Sequence, residues 1–195
     1  MAAKKAIAVL HPDLPSIDVA VDSGVFQQPV VCSRAPLPVH VSITHTGFLA
    51  SAVAFPAGHP LAIDMEQIDS ANIDTIKTQV SVGEAPPATP GSTEAERFTR
   101  VWTIKEALSK ILGCGMMTPF SLFTLTDSEF WRDGSYRGGF KFFPQYRFVS
   151  ITTSQVALGL VHPARTLPVC EWNQLAMLLE SVCFEARDGA EDASR

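Results

Sequence analysis

The stretch WTIKEALSK, residues 102–110, lies inside the longest helical pattern of the sequence, from about residue 93 to 112. The pattern opens with Thr and Glu at capping-box spacing, and Gly113 is placed to end the helix. Glu106 and Lys110 are four residues apart and share one helix face, where they can form an ordinary surface ion pair. A second interpretation requires another part of the chain to bring a partner to the Glu106 carboxylate.

Length and composition indicate a single soluble globular domain. The chain has 195 residues, is 46% hydrophobic and has a formal net charge of -5, so no broad basic surface for nucleic acid is expected. The four cysteines lack CxxC spacing and predict neither a zinc site nor a disulfide framework. The only apolar run near the N-terminus, AIAVL, is too short for a signal peptide or a membrane span, which predicts a cytoplasmic protein.

Alternating apolar patterns predict a mainly β N-terminal third and a return to strands after the long helix. Strands are predicted at AIAVL (6–10), IDVAV (17–21), VHVSITHT (39–46), FLASAVAF (48–55), PLAIDMEQI (60–68), SLFTL (121–125), YRFVSITT (146–153) and QVALGLVH (155–162). Further helices are predicted at ANIDTIKTQV (71–80) and EWNQLAMLLESVCFEA (171–186). This order predicts an α+β fold. We expect one domain over 1–195, with halves at about 1–82 and 93–187 joined by a loop at 83–92.

Two acidic residues in the predicted strand at 60–68 are candidate metal ligands. Asp64 and Glu66 are two residues apart, so their side chains leave the same face of a sheet. Such alternation is also typical of an exposed strand edge. If the strand packs against the long helix, Glu106 supplies a third carboxylate, and oxygen ligands of this kind suit Mg²⁺. Lys105 and Lys110 would then be close to phosphates bridged by that metal.

Three segments, taken in order, resemble the motifs of the 4′-phosphopantetheinyl transferase superfamily. SITHT (42–46), AIDMEQID (62–69) and WTIKEALSK are similar to the patterns S-x-S-H, G-[IV]-D-[IV]-E and W-x-x-K-E-A-x-x-K of its larger branch. The resemblance covers about residues 17–165, with an N-terminus shorter than that branch has. It implies an α+β fold in which two similar sheet-plus-helix halves pack as a pseudodimer.

The resemblance also implies roles for individual residues. Asp64, Glu66 and Glu106 resemble the three metal ligands, and Glu106 also resembles the base or the residue that positions it. Lys110 and His45 resemble catalytic residues of the superfamily that contact the phosphates of its substrate, coenzyme A.

The coenzyme A site implied by the resemblance draws on further polar residues. Thr44 and His45 match the pair that holds a coenzyme A phosphate, with Thr44 keeping the hydroxyl of the usual serine. Lys105 and Lys110 are expected to contact the same coenzyme. Arg34, in the loop before the third predicted strand, is the nearby candidate for the 3′-phosphate.

The implied activity is Mg²⁺-dependent transfer of the phosphopantetheine arm from coenzyme A to a serine of an acyl or peptidyl carrier protein, with release of 3′,5′-ADP. Such carriers serve fatty acid, polyketide and nonribosomal peptide synthesis. The alternative is a weak or inactive relative that acts as a binding or assembly module of a larger synthase. A third alternative is a Mg²⁺-dependent phosphohydrolase that needs no carrier serine. Neither nucleic acid nor membrane is an expected partner.

Overall fold

The structure is a computed structural model that describes residues 1–47, 49–166, 168 and 170–192, with side chains described for these except at 82, 116 and 184–192. The helices are α1 (Ala2–Leu10), α2 (Ile73–Lys77), α3 (Glu94–Leu112) and α4 (Trp172–Asp192). The strands are β1 (Val19–Ser23), β2 (Pro29–Ser33), β3 (Val39–Thr46), β4 (Leu49–Pro56), β5 (Ala62–Gln67), β6 (Leu125–Phe130), β7 (Tyr136–Phe140), β8 (Tyr146–Thr152) and β9 (Val156–Pro163). Helices and antiparallel sheets together confirm the predicted α+β class.

A five-stranded antiparallel sheet in the order β5-β9-β8-β7-β6 forms the centre of the fold. Alternate side chains of its strands supply two cores, because successive residues point to opposite faces. One face packs against α3 through residues such as Ile104 and Leu108, and the other packs against α4 through residues such as Trp172 and Cys183. The sheet is therefore covered by one helix on each face.

The N-terminal part of the chain builds a smaller assembly beside this sheet. β1 pairs with β2 and β3 pairs with β4, each as a two-stranded antiparallel sheet. Helix α1 covers them, and its buried residues Ala3 and Ile7 join Val19, Val39 and Val41 in one apolar cluster. This assembly places β3 alongside β5.

Helix α3 has the bounds that its sequence predicts. The Thr93 hydroxyl accepts a hydrogen bond from the Glu96 backbone N–H at 3.1 Å, which satisfies one of the free donors at the helix start. Gly113 ends the helix in the left-handed region at φ 65°. The helix lies very close to the sheet at Gly159, where a Cβ atom would be 2.8 Å from the carbonyl carbon of Thr103. This contact sets the separation between α3 and the sheet.

Several sequence predictions differ from the structure. AIAVL belongs to helix α1, because the alanines favour a helix and Ala3 and Ile7, four residues apart, bury one helix face. The predicted strand SLFTL begins as a 3-10 turn at Phe120–Phe123, and β6 follows it. Strands β2 and β7 were not predicted.

The predicted division into halves does not follow the boundaries of the sheets. β5 precedes the loop at 83–92 but pairs with β9 in the five-stranded sheet. The pseudodimer of two similar halves and the division at this loop stay predictions. Within the described part of the chain, no helix combines the length and apolar character needed to cross a bilayer.

Candidate active site

The central contact of the candidate site joins β5 to α3 through Asp64 and Lys110. The Lys110 ammonium nitrogen lies 2.7 Å from Asp64 Oδ1, and it also donates to the backbone carbonyls of Ile43 at 3.2 Å and Ile63 at 3.0 Å. Lys110 therefore bridges α3, β3 and β5. Among the ion pairs of the described residues, none joins Lys110 to Glu106, the partner that helical spacing alone would suggest.

Asp64 is buried, with 5% of its surface exposed, and its two carboxylate oxygens differ in their surroundings. Oδ1 accepts the hydrogen bond from Lys110 and a second one from the Thr44 hydroxyl at 3.2 Å. Oδ2 is buried and, among the described residues, has no hydrogen-bond donor. A buried carboxylate oxygen without a donor is costly, so a positively charged group beside Oδ2 would stabilise Asp64.

Glu66 and Glu106 are close enough to Asp64 to be affected by its charge. Burial together with the charges of Asp64 and Glu106 raises the pKa of Glu66 to about 6, although Lys110 opposes this shift. Burial and the charge of Asp64 also raise the pKa of Glu106, whereas Lys110 and the Ser109 hydroxyl oppose this shift. Burial and the nearby charge of Asp64 therefore both disfavour the ionised forms of Glu66 and Glu106.

The chemistry of these side chains fits a divalent cation. Carboxylate oxygens are the donors that Mg²⁺ prefers, and the orphaned Oδ2 of Asp64 is an oxygen that such an ion would satisfy. Among the described residues, no three Asp, Glu, His or Cys side chains converge closely enough to form a complete metal site. Rotation about the side-chain torsions of Glu66 and Glu106 would change the distances from their carboxylates to that of Asp64 without backbone movement.

The geometry of Lys105 is a correction to the expectation that it contacts the coenzyme. Its side chain is fully buried, and its ammonium nitrogen lies 2.8 Å from Glu84 Oε2 and 3.1 Å from the Phe120 carbonyl. Glu84 Oε1 in turn accepts a hydrogen bond from the Leu125 N–H at 3.0 Å. Lys105 thus connects α3 to the segments that contain Glu84 and Phe120, and its ammonium group is not accessible to a phosphate.

The other predicted coenzyme ligands lie at different places in the fold. Thr44 is 5% exposed, and its hydroxyl is engaged inside the protein. His45 is exposed next to it on β3 and, because strand side chains alternate, leaves the opposite side of that strand. The Arg34 side chain is 89% exposed and lies 3.4 Å from Asp18 Oδ1. Only His45 and Arg34 of these three are therefore accessible to a ligand.

A cavity of about 520 Å³ opens beside Lys110. It lies between the turn that joins β1 to β2, the β3–β4 pair and the C-terminal end of α3, and Phe26, His40 and Phe55 are among its lining residues. The rings of His40 and Phe55 are stacked, with centroids 5.9 Å apart. The volume of this cavity is typical of a small-molecule site. Arg34 and Lys105 are not among the residues that line it.

Two residues at the site escaped the sequence analysis. Glu84 lies at the start of the loop at 83–92, and nothing in the local pattern indicates its pairing with a residue 21 positions away. Ser109 donates to the Glu106 carbonyl at 2.8 Å, and its hydroxyl lies 3.3 Å from Glu106 Oε2. A serine three positions after a glutamate on a helix is a local signal that could have indicated this contact.

A comparison with protein families gives the class of this chain. The 4′-phosphopantetheinyl transferase superfamily matches residues 60–161, which is just over half of the chain. The chain therefore belongs to this superfamily. The match contains Asp64, Glu66, Glu106 and Lys110, whereas Thr44 precedes it. No match was found among curated proteins.

Family membership supports phosphopantetheine transfer as the general activity of this chain, with coenzyme A as donor and a carrier protein as acceptor.

Proposed function

We propose that this protein transfers the 4′-phosphopantetheine arm of coenzyme A to a serine of an acyl or peptidyl carrier protein, with a divalent cation at Asp64, Glu66 and Glu106. The observation that carries this proposal is the buried Asp64 carboxylate, whose Oδ2 has no donor among the described residues. Burial and the charge of Asp64 also raise the pKa of the two neighbouring glutamates. A Mg²⁺ ion held there would neutralise charge on the phosphates of the coenzyme.

The cavity beside Lys110 supports coenzyme A as the donor. Its aromatic and apolar lining suits part of a long, mostly uncharged ligand, and Lys110 is one of its lining residues. The Lys110 side chain is 30% exposed, and a phosphate that binds there would replace the Ile43 or Ile63 carbonyl as an acceptor of its ammonium group while the bond to Asp64 remains. His45, exposed at the end of β3, is a second proposed phosphate ligand.

The proposed reaction forms one bond and breaks another at the same phosphorus. The serine oxygen of the carrier bonds to the phosphorus that bears the pantetheine arm, and the bond from that phosphorus to the bridging oxygen breaks. The products are the modified carrier and 3′,5′-ADP. Lys110 stabilises negative charge that develops on the phosphate oxygens.

The serine proton passes to Glu106 in this proposal. A carboxylate can hold a cation through one of its oxygens, so the other oxygen of Glu106 would remain available to accept this proton. Glu106 lies on the rigid helix α3, whose position against the sheet is set at Gly159. The proposed base is therefore held on a fixed element and not on a loop.

Mass spectrometry of carrier proteins tests this function. The purified chain is incubated with coenzyme A, Mg²⁺ and a panel of apo carrier proteins of fatty acid, polyketide and peptide synthesis. We expect one or more carriers to gain the phosphopantetheine mass, and we expect Glu106→Gln to slow this transfer at least about 100-fold. Glu94→Gln is the matched control, since Glu94 lies on the same helix and pairs with Lys77 away from the site.

The outcome also distinguishes the enzyme from a binding module. A folded chain that binds coenzyme A or a carrier in calorimetry, yet modifies no member of the panel, supports the assembly role in a larger synthase. Phosphate release without a carrier would instead indicate a hydrolase.

A further inference from the structure

Strands β3 and β5 are connected by side-chain hydroxyls. Every second residue of β3 from position 42 to 46 is a serine or threonine, and each hydroxyl oxygen accepts a hydrogen bond from a backbone N–H of β5. The three bonds are Ile63 N to Ser42 Oγ at 3.2 Å, Met65 N to Thr44 Oγ1 at 2.9 Å and Gln67 N to Thr46 Oγ1 at 3.2 Å. Their residue numbers rise together along both strands, so β3 runs parallel to β5.

The middle hydroxyl of this series has an additional contact. Because Thr44 Oγ1 accepts the Met65 N–H, its own proton is free to be donated, and Asp64 Oδ1 lies 3.2 Å away. The Met65 carbonyl is a more distant alternative at 3.4 Å. An ionised carboxylate is the stronger acceptor, so the Thr44 hydroxyl donates to Asp64. Among the described residues, neither Ser42 nor Thr46 contacts a carboxylate.

The Thr44 contact selects which oxygen of Asp64 remains available. Oδ1 receives two donors, Thr44 and Lys110, from two different elements. Lys110 is itself fixed by the carbonyls of Ile43 and Ile63. Two donors on one oxygen, in a side chain that is 5% exposed, restrict the carboxylate to one orientation. In that orientation Oδ2 is the oxygen without a donor in the described structure.

We propose that Thr44 is a positioning residue that orients the Asp64 carboxylate so that Oδ2 is offered to the divalent cation. This inference rests on the proposed metal site and replaces the expected contact of Thr44 with a coenzyme phosphate. Partners that hold a metal ligand in place strongly affect metal affinity, because a misdirected ligand must be reoriented when the ion binds. Thr44 acts on the cation only through Asp64.

Binding of Mn²⁺ provides a test that does not depend on catalysis. Free Mn²⁺ is measured by electron paramagnetic resonance during titration of the full chain without coenzyme A. We expect Thr44→Val to weaken Mn²⁺ binding about 10-fold or more, and Thr44→Ser, which keeps the hydroxyl, to restore it to within about 3-fold of the natural protein. Thr46→Val is the matched control, since it removes an equivalent strand-to-strand bond without touching Asp64.

Each result of the titration has a defined meaning. Equal Mn²⁺ affinity for Thr44→Val and the natural chain would overturn the positioning role and leave the proposed metal site intact. An equal loss in Thr46→Val would also overturn it, because the effect would then follow the strand contact and not Asp64. No Mn²⁺ binding by the natural chain would refute the metal site itself, and the positioning role with it. If Thr44→Val does not fold, Thr44→Ala removes the same hydroxyl without adding bulk and is judged by the same criteria.

Discussion

Replacing Glu66 by glutamine tests whether burial and the neighbouring carboxylates destabilise the charged form of Glu66 in the absence of a cation. Glu66 has a pKa of about 6, against an ordinary value of 4.5. This difference corresponds to about 2 kcal/mol between the charged and neutral forms. Because the side chain is only half-buried, solvent screening reduces the expected contribution to about 1 kcal/mol. Glu66→Gln should therefore raise the free energy of unfolding by about that amount at neutral pH.

The direction of the pH dependence follows from the raised pKa. A carboxyl group whose pKa is higher in the folded state destabilises the fold when ionised, so its cost develops as pH rises from about 4.5 to about 6. Below that window both the glutamate and the glutamine are neutral. The stability advantage of Glu66→Gln is thus expected near pH 7.5 and should disappear near pH 4.

Urea denaturation followed by tryptophan fluorescence measures this effect in the presence of a chelator. Glu129→Gln, at an exposed position of β6, is the control and should change the free energy of unfolding by less than about 0.5 kcal/mol. Mg²⁺ stabilises a chain to the extent that it binds only the folded state. Its addition should therefore raise the free energy of unfolding of the natural chain more than that of the Glu66→Gln variant, which lacks one proposed ligand. The reasoning would be refuted if Glu66→Gln were less stable than the natural chain at pH 7.5, or more stable than it by the same amount at pH 7.5 and pH 4.

Two further predictions concern the elements that support the site. Gly159→Ala should lower the free energy of unfolding by about 1–3 kcal/mol and weaken Mn²⁺ binding, because the added Cβ would lie 2.8 Å from the backbone of α3. Gly58→Ala is the control, since a Cβ at Gly58 would have no atom within 4 Å. Equal urea midpoints for the two variants would contradict the prediction. Lys105→Met should cost about 3 kcal/mol by leaving the buried Glu84 carboxylate unpaired, and adding Glu84→Gln should recover much of this loss. No recovery in the double variant would show that the ion pair is not the source of the loss.

Features set by local sequence were predicted well. Helix α3 carries its apolar stripe, its Thr93 cap and its Gly113 stop within one continuous segment, and its bounds were predicted closely. The hairpin of β3 and β4 likewise follows from alternation on both sides of one glycine. Helix α1 was predicted as a strand because five apolar residues in a row have no clear period, and packing against β3 and β4 decides its state.

The partners of charged groups were harder to predict because they depend on long-range packing. The sequence places Lys110 four residues from Glu106, yet the folded chain pairs it with Asp64, which lies 46 positions away. Lys105 was expected to face a ligand, but burial lowers its pKa and the ion pair with Glu84 opposes this shift. Such choices depend on how closely α3 approaches the sheet, which sequence spacing does not encode.

Crystals grown with Mn²⁺ and coenzyme A provide the most direct test of the proposed site. Anomalous diffraction locates the manganese without reference to activity. We expect one ion bound to oxygens of Asp64, Glu66 and Glu106, in contact with the diphosphate of a coenzyme that enters the cavity beside Lys110. Manganese at another position, or a coenzyme diphosphate bound away from these three carboxylates, would contradict the account.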